Sequence, residues 1–136
     1  MVILITNQCG FIYILRIFKM ISKFEDSCIN GDKQIIDQMI TNGNINSTDL
    51  NGRDGYLLLI IVKNGMLDSL ALILKKFGNF IECKPDMLIM ALNYNQLECA
   101  KLLGEYGVNP DLPTYSTMYE RWQKVKNMIR SVGHCG

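Results

Sequence analysis

The sequence predicts an all-α fold in which helix–turn–helix units stack on one another. Apolar residues recur with the spacing of one helical face in successive segments, and short loops rich in Asn, Gly and Asp separate these segments. No stretch alternates over more than a few residues with the period of two that a half-buried strand requires. The turns also recur about every 33 residues, which is typical of a stacked helical array, because one pair of short helices cannot bury its apolar faces alone.

The composition is that of one globular domain. Of the 136 residues, 49% are hydrophobic and 20% are charged, so the chain can build a core. The formal net charge is only +1, whereas a nucleic-acid binder usually carries a basic stripe. Five cysteines, odd in number and without a CxxC pair, fit neither a disulfide framework nor a zinc ribbon. We therefore expect a cytoplasmic protein that binds no nucleic acid and keeps Cys28 and Cys99 as small core residues.

Three helix pairs and a final helix are predicted. The turns inside the pairs fall at Gly31, Gly65 and Asn95, and the glycines that close the pairs are Gly43, Gly78 and Gly107. Asp32 stands where its side chain can cap the second helix of the first pair. The predicted helices are residues 21–29, 33–41, 56–63, 67–77, 86–94, 97–106 and 116–130.

The second helices of these pairs resemble those of the ankyrin-repeat family. The family pattern is Gly-His-Leu-Glu-Val-Val-x-x-Leu-Leu-x-x-Gly-Ala-x-x-Asn, and residues 95–110 read NQLECAKLLGEYGVNP. Residues 31–46 read GDKQIIDQMITNGNIN in the same register. Residues 65–79 read GMLDSLALILKKFGN, with one extra residue before the closing glycine. The resemblance implies a solenoid of about three diverged ankyrin repeats.

The first helices depart from the family pattern, Thr-Pro-Leu-His-x-Ala-Ala. Residues 56–62 read YLLLIIV and residues 86–92 read DMLIMAL, so only Leu58, Leu88 and Ala91 clearly fit. The Thr and His that link neighbouring repeats of the family by hydrogen bonds are absent. The resemblance thus implies this organisation: an apolar segment or capping helix at residues 1–23, repeats at 24–110, a C-terminal capping helix at 111–131 and a tail at 132–136.

The apolar N-terminal segment carries Phe11, Ile14, Leu15 and Phe18 at the spacing of one helical face. We expect this face to be core or covered by a partner. Its basic residues follow the apolar stretch instead of preceding it, unlike a signal peptide, and the stretch is too interrupted to span a bilayer. A membrane partner is therefore not expected, yet membrane association and self-association through residues 1–20 are left open.

No catalytic, metal or cofactor site is predicted. His134 is the only histidine, and it stands beside Cys135 in the predicted tail, where nothing holds a catalytic pair or completes a zinc site. Residues 51–55, NGRDG, lack the frame of a phosphate-binding loop and are expected to link two repeats. Trp122, in the last helix, is expected to cap the open end of the stack, with a role as a partner anchor as the alternative.

The ankyrin resemblance implies a non-catalytic module that binds another protein through a concave surface of hairpin tips and first-helix faces. Alignment of the repeats places Ile29, Ile60, Met90 and Tyr94 in one exposed apolar row. An alternative is that the array recruits substrates for, or regulates, an effector enzyme of a pathogen or large virus acting in the host cytoplasm. The candidate partner-binding residues are Arg53, Asp54, Tyr56, Ile60, Lys63, Lys84, Met90, Asn93 and Tyr94.

Overall fold

The chain folds into seven α-helices and a 3₁₀ turn, as seen in a computed structural model that describes residues 8–114 and 116–133. No strand occurs in these residues, so the all-α prediction is confirmed. The helices are α1 (Gln8–Asn30), α2 (Lys33–Thr41), α3 (Ser47–Lys63), α4 (Leu67–Phe77), α5 (Lys84–Asn93), α6 (Leu97–Glu105) and α7 (Thr117–Gly133), and the 3₁₀ turn is Gly78–Phe80.

The helices pack in two rows. In the inner row α3 contacts α1 on one side and α5 on the other, and in the outer row α4 contacts α2 and α6. Each inner helix also contacts the outer helix that follows it, and α7 packs against α5 and α6. The apolar faces of both rows meet in one core. Its large, fully buried side chains include Phe24, Ile36, Leu58, Ile61, Leu70, Ile73, Met87 and Leu88.

The turns inside the pairs have the predicted left-handed backbone. Gly31 and Gly65 have φ of +72° and +68°, and Asn95 takes φ of +57° at the matching place in the third pair. Asp32 caps α2, because its side chain accepts a hydrogen bond from the Ile35 amide at 3.4 Å. Helices α2 and α4 begin and end at the predicted residues.

Two helices begin well before the predicted residue. Helix α1 begins at Gln8 instead of residue 21, since the apolar stripe continues its helical spacing backwards. Helix α3 begins at Ser47 because Asn46 and Asp49 form a capping box, each side chain accepting from the other residue's amide at 3.0 Å. Residues 51–55, which were expected to link two repeats, therefore lie within α3. The helix is interrupted there, because the backbone angles from Gly52 to Gly55 are non-helical.

At the end of each inner helix, a backbone carbonyl accepts a hydrogen bond from a side chain further along the chain. The last carbonyls of a helix have no partner inside that helix, and here side-chain amide or guanidinium groups supply one. The bonds run from Asn64 Nδ2 to Cys28 O (3.3 Å), from Gln96 Nε2 to Lys63 O (3.0 Å) and from Arg121 Nη1 to Leu92 O (2.7 Å).

Replacing one of these caps is expected to weaken the stack measurably. Gln96→Ala should lower the free energy of unfolding by about 1 kcal/mol, the usual net contribution of one such hydrogen bond. Urea unfolding followed by circular dichroism measures this change. Gln38→Ala is the matched control, because Gln38 is exposed on α2, and it should change stability by less than about 0.5 kcal/mol. Equal effects of the two variants would contradict a capping role for Gln96.

Candidate functional site

The candidate site is the exposed side of the inner helices, called the inner face here and consisting of Ile29, Ile60, Lys63, Met90 and Tyr94. Ile29 is 51% exposed near the end of α1, and Tyr94 is 45% exposed at the end of α5. Ile60 and Met90 are half-buried and pack against the core. The predicted apolar row thus consists of two exposed ends with two half-buried side chains between them.

A cation–aromatic contact joins two helices of the inner face. Lys63 Nζ lies 5.0 Å from the centre of the Tyr94 ring, which puts the ammonium over an exposed aromatic surface. Lys63 shares one face of α3 with Ile60 and Tyr56, because the three residues are spaced by three and four positions. Tyr56 is itself 40% exposed. This face of α3 therefore connects the Tyr94 ring to the helix break at residues 52–55.

The helix break places two predicted site residues on an unusual backbone. Arg53 and Asp54 have φ of +52° and +57°, and Gly55 follows with +78°. A non-glycine residue in this region costs roughly 1–2 kcal/mol. Asn51 holds the break in place, because its amide donates to Phe80 O at 2.8 Å and accepts from the Glu82 amide at 3.1 Å. The fold thus holds both side chains at the surface against a local energetic cost.

A groove of about 230 Å³ lies between this break and α1. Ile21 and Leu57 give it an apolar lining, and Tyr56 lies at its side. Glu25 and Arg53 form an ion pair there, with 3.7 Å between carboxylate and guanidinium. The Arg53 side chain is 76% exposed, so the pair contributes little to stability. Arg53 is therefore available to another molecule.

Two predicted site residues take part in contacts within the chain. Lys84 is half-buried, and its ammonium donates to Gly78 O at 2.8 Å. Asn93 is exposed, and its carbonyl accepts from Arg121 at 3.0 Å. The amide of Asn93 can still reach a ligand, whereas Lys84 serves the end of α4. Ile29 belongs to the predicted apolar row but not to the predicted set of partner-binding residues, although it occupies the same position on its helix as Lys63 and Asn93, at intervals of 34 and 30 residues.

Cys28, Cys83 and Cys99 are buried thiols. Burial raises the pKa of Cys28 to about 12 and the pKa of Cys83 and of Cys99 to about 11, from an ordinary value of 9.0. The expected core positions of Cys28 and Cys99 are confirmed. Cys83 borders a polar cleft of about 170 Å³ together with three carboxylates, but a thiol with so high a pKa is a poor nucleophile at neutral pH.

These raised pKa values predict a loss of stability in alkali. The unfolded thiols ionise from about pH 9, while the folded ones stay protonated up to pH 11 or 12, so stability falls across this window. From pH 8 to pH 10 each buried thiol should remove about 1 kcal/mol. Urea unfolding of Cys28→Ala at both pH values should show a pH-dependent loss smaller by that amount. The same loss in wild type and variant would refute the linkage.

The described residues hold no group of three or more His, Cys, Asp and Glu side chains able to bind a metal ion. His134 and Cys135 lie outside the described residues. Comparisons of this chain with protein-family models, with curated proteins and with solved structures find no match.

Proposed function

We propose that the paired helices form a diverged ankyrin-like array that binds a partner protein through the inner face without catalysing a reaction. Two sets of residues occupy matching positions on three successive inner helices, and they support the ankyrin-like register. One set is Asp26, Ile60 and Met90, and the other is Ile29, Lys63 and Asn93. Side-chain caps between layers fit stacked units that are stable only together.

The exposed Tyr94 ring under the Lys63 ammonium is the observation that carries this proposal. Aromatic residues contribute much of the binding energy at protein interfaces, especially when half-buried apolar groups surround them. Met90 precedes Tyr94 by four residues and Ile60 precedes Lys63 by three, so each shares one side of its helix with a member of the contact, and the exposed Ile29 adds an apolar residue on α1. The break at Arg53 and Asp54 supplies a charged rim, which is the usual surrounding of such a centre.

A comparative capture experiment tests the proposal. The immobilised chain is exposed to cell extract, and bound proteins are identified by mass spectrometry for wild type, for Ile29→Ser/Tyr94→Ser and for Tyr106→Ser. Tyr106 is a matched control, because it is also 45% exposed and also ends a helix, but in the outer row. We expect a protein that wild type and Tyr106→Ser retain and that the double variant loses.

Two outcomes would contradict the proposal. One is a captured protein that is retained equally by all three chains, and the other is a protein lost only with Tyr106→Ser. Circular dichroism and thermal melting of each variant show whether a loss reflects unfolding, because exposed substitutions should leave the melting temperature nearly unchanged.

A further inference from the structure

Helix α1 begins well before the first residue whose side chain is described as fully buried. Phe24 is its first fully buried residue among the described side chains, and the helix begins sixteen residues earlier, at Gln8. Sixteen residues of helix are about 24 Å long. A helix of this length is only marginally stable by itself in water, so an apolar extension of this kind calls for a covering surface.

Leu15, a member of the apolar stripe of this extension, faces away from the domain core. Leu15 is the stripe member whose side chain is described, and it is 43% exposed. It lies nine residues before Phe24, which is about 180° around an α-helix. The sequence puts Phe11 and Phe18 within about 60° of Leu15. Of the two expectations for this face, core or covered by a partner, the exposure of Leu15 favours the second.

The charges of this region have one sign. The first 24 residues contain Arg16, Lys19 and Lys23 but no Asp or Glu. All three lie within about 100° of Leu15 on one side of the helix, and the described side chains of Lys19 and Lys23 are exposed. Basic residues along the edge of an apolar helical face suit an interface between hydrocarbon and anionic headgroups, since long side chains can reach the headgroups from there.

We propose that the extension of α1, residues 8–23, docks on an anionic lipid surface and lies in the plane of the interface. Its apolar stripe enters the boundary of the acyl chains, and its basic edge meets lipid phosphates and carboxylates. A second copy of this segment suits the face less well, because residues 8–23 of the copy would bring only further positive charge. No helix among the described residues is long and apolar enough to cross a membrane. This proposal does not rest on the inner face.

Vesicle flotation of the full chain tests the lipid proposal. One set of vesicles is pure phosphatidylcholine, and the other is an equimolar mixture of phosphatidylcholine and phosphatidylserine. We expect wild type to bind the mixed vesicles more tightly by a factor on the order of a hundred, since each basic residue near the surface contributes about tenfold or less. Leu15→Ser should weaken binding to the mixed vesicles by roughly tenfold or more.

Two further variants distinguish the proposal from its competitors. Lys19→Glu/Lys23→Glu should abolish the preference for phosphatidylserine, whereas Phe80→Ser, at an exposed apolar site outside α1, should leave vesicle binding unchanged. Sedimentation of each chain over a range of concentrations measures self-association. The proposal is overturned if wild type does not float with the mixed vesicles. It is also overturned if Leu15→Ser leaves flotation unchanged. A third contradicting result is a wild-type dimer in sedimentation that Leu15→Ser dissociates, because a second copy would then cover the exposed face.

Discussion

Gly55→Ala is expected to lower the free energy of unfolding by about 3 kcal/mol. Gly55 has φ of +78°, and a methyl group built there would lie 2.2 Å from Cys83 Sγ and 3.0 Å from Cys83 Cβ. An alanine would therefore have to adopt a left-handed backbone and also displace a buried neighbour. Thermal melting should show a decrease in the melting temperature of about 10 °C.

The same helix break supplies the control for this prediction. At Gly52 a methyl group meets nothing within 4 Å, and its φ of −59° suits any residue. Gly52→Ala should therefore leave stability unchanged or raise it slightly. Cys83→Ala removes the thiol that the new methyl would strike, so Gly55→Ala/Cys83→Ala should be less destabilised than the sum of the two single variants. Strict additivity would show that the contact with Cys83 is not the cause.

Trp122→Ala is expected to cost about 4 kcal/mol. Trp122 is 6% exposed and packs on α6 at Gly104, where an added methyl would lie 3.1 Å from the indole ring and 2.8 Å from Ile129. Truncation leaves a cavity between the last helix and the rest of the core. The substitution should therefore weaken the packing of α7 on the third helix pair. Urea unfolding measures the resulting decrease in the free energy of unfolding.

Lys124→Ala is the matched control for the tryptophan variant. Lys124 is exposed on the same helix, so its removal should change the free energy of unfolding by less than about 0.5 kcal/mol. A loss below about 1 kcal/mol for Trp122→Ala would contradict the capping role of α7. The prediction that Trp122 caps the stack, made from its place on the apolar stripe of the last helix, would then be wrong.

Much of the helical framework could be predicted from the sequence, because local signals carry it. Asp32 with Gly31 and Gly43 mark the limits of α2 by capping and left-handed turns. The signal for the start of α3 is equally local, but the apolar pattern does not show it. Asn46 and Asp49 stand before a short helical turn that has little apolar pattern. Capping residues alone could have revealed it.

The candidate site was harder to predict, because exposure depends on neighbouring helices. The sequence places Ile60 and Met90 in the exposed row, but packing against the core half-buries both. Three consecutive left-handed residues, Arg53 to Gly55, depend on the Asn51 bonds to the segment after α4, a contact between distant parts of the chain. Propensity favours left-handed backbone at only some of these residues.

The affinity of Tyr94→Ser for a purified partner, compared with that of Tyr106→Ser, is the most direct measurement of the central claim. Both rings are 45% exposed, but only Tyr94 lies on the inner face beside Lys63. Calorimetric titration with a partner captured by wild type should give a dissociation constant at least about tenfold higher for Tyr94→Ser and within about twofold of wild type for Tyr106→Ser. An unchanged constant for Tyr94→Ser, or a larger loss for Tyr106→Ser, would contradict binding through the inner face.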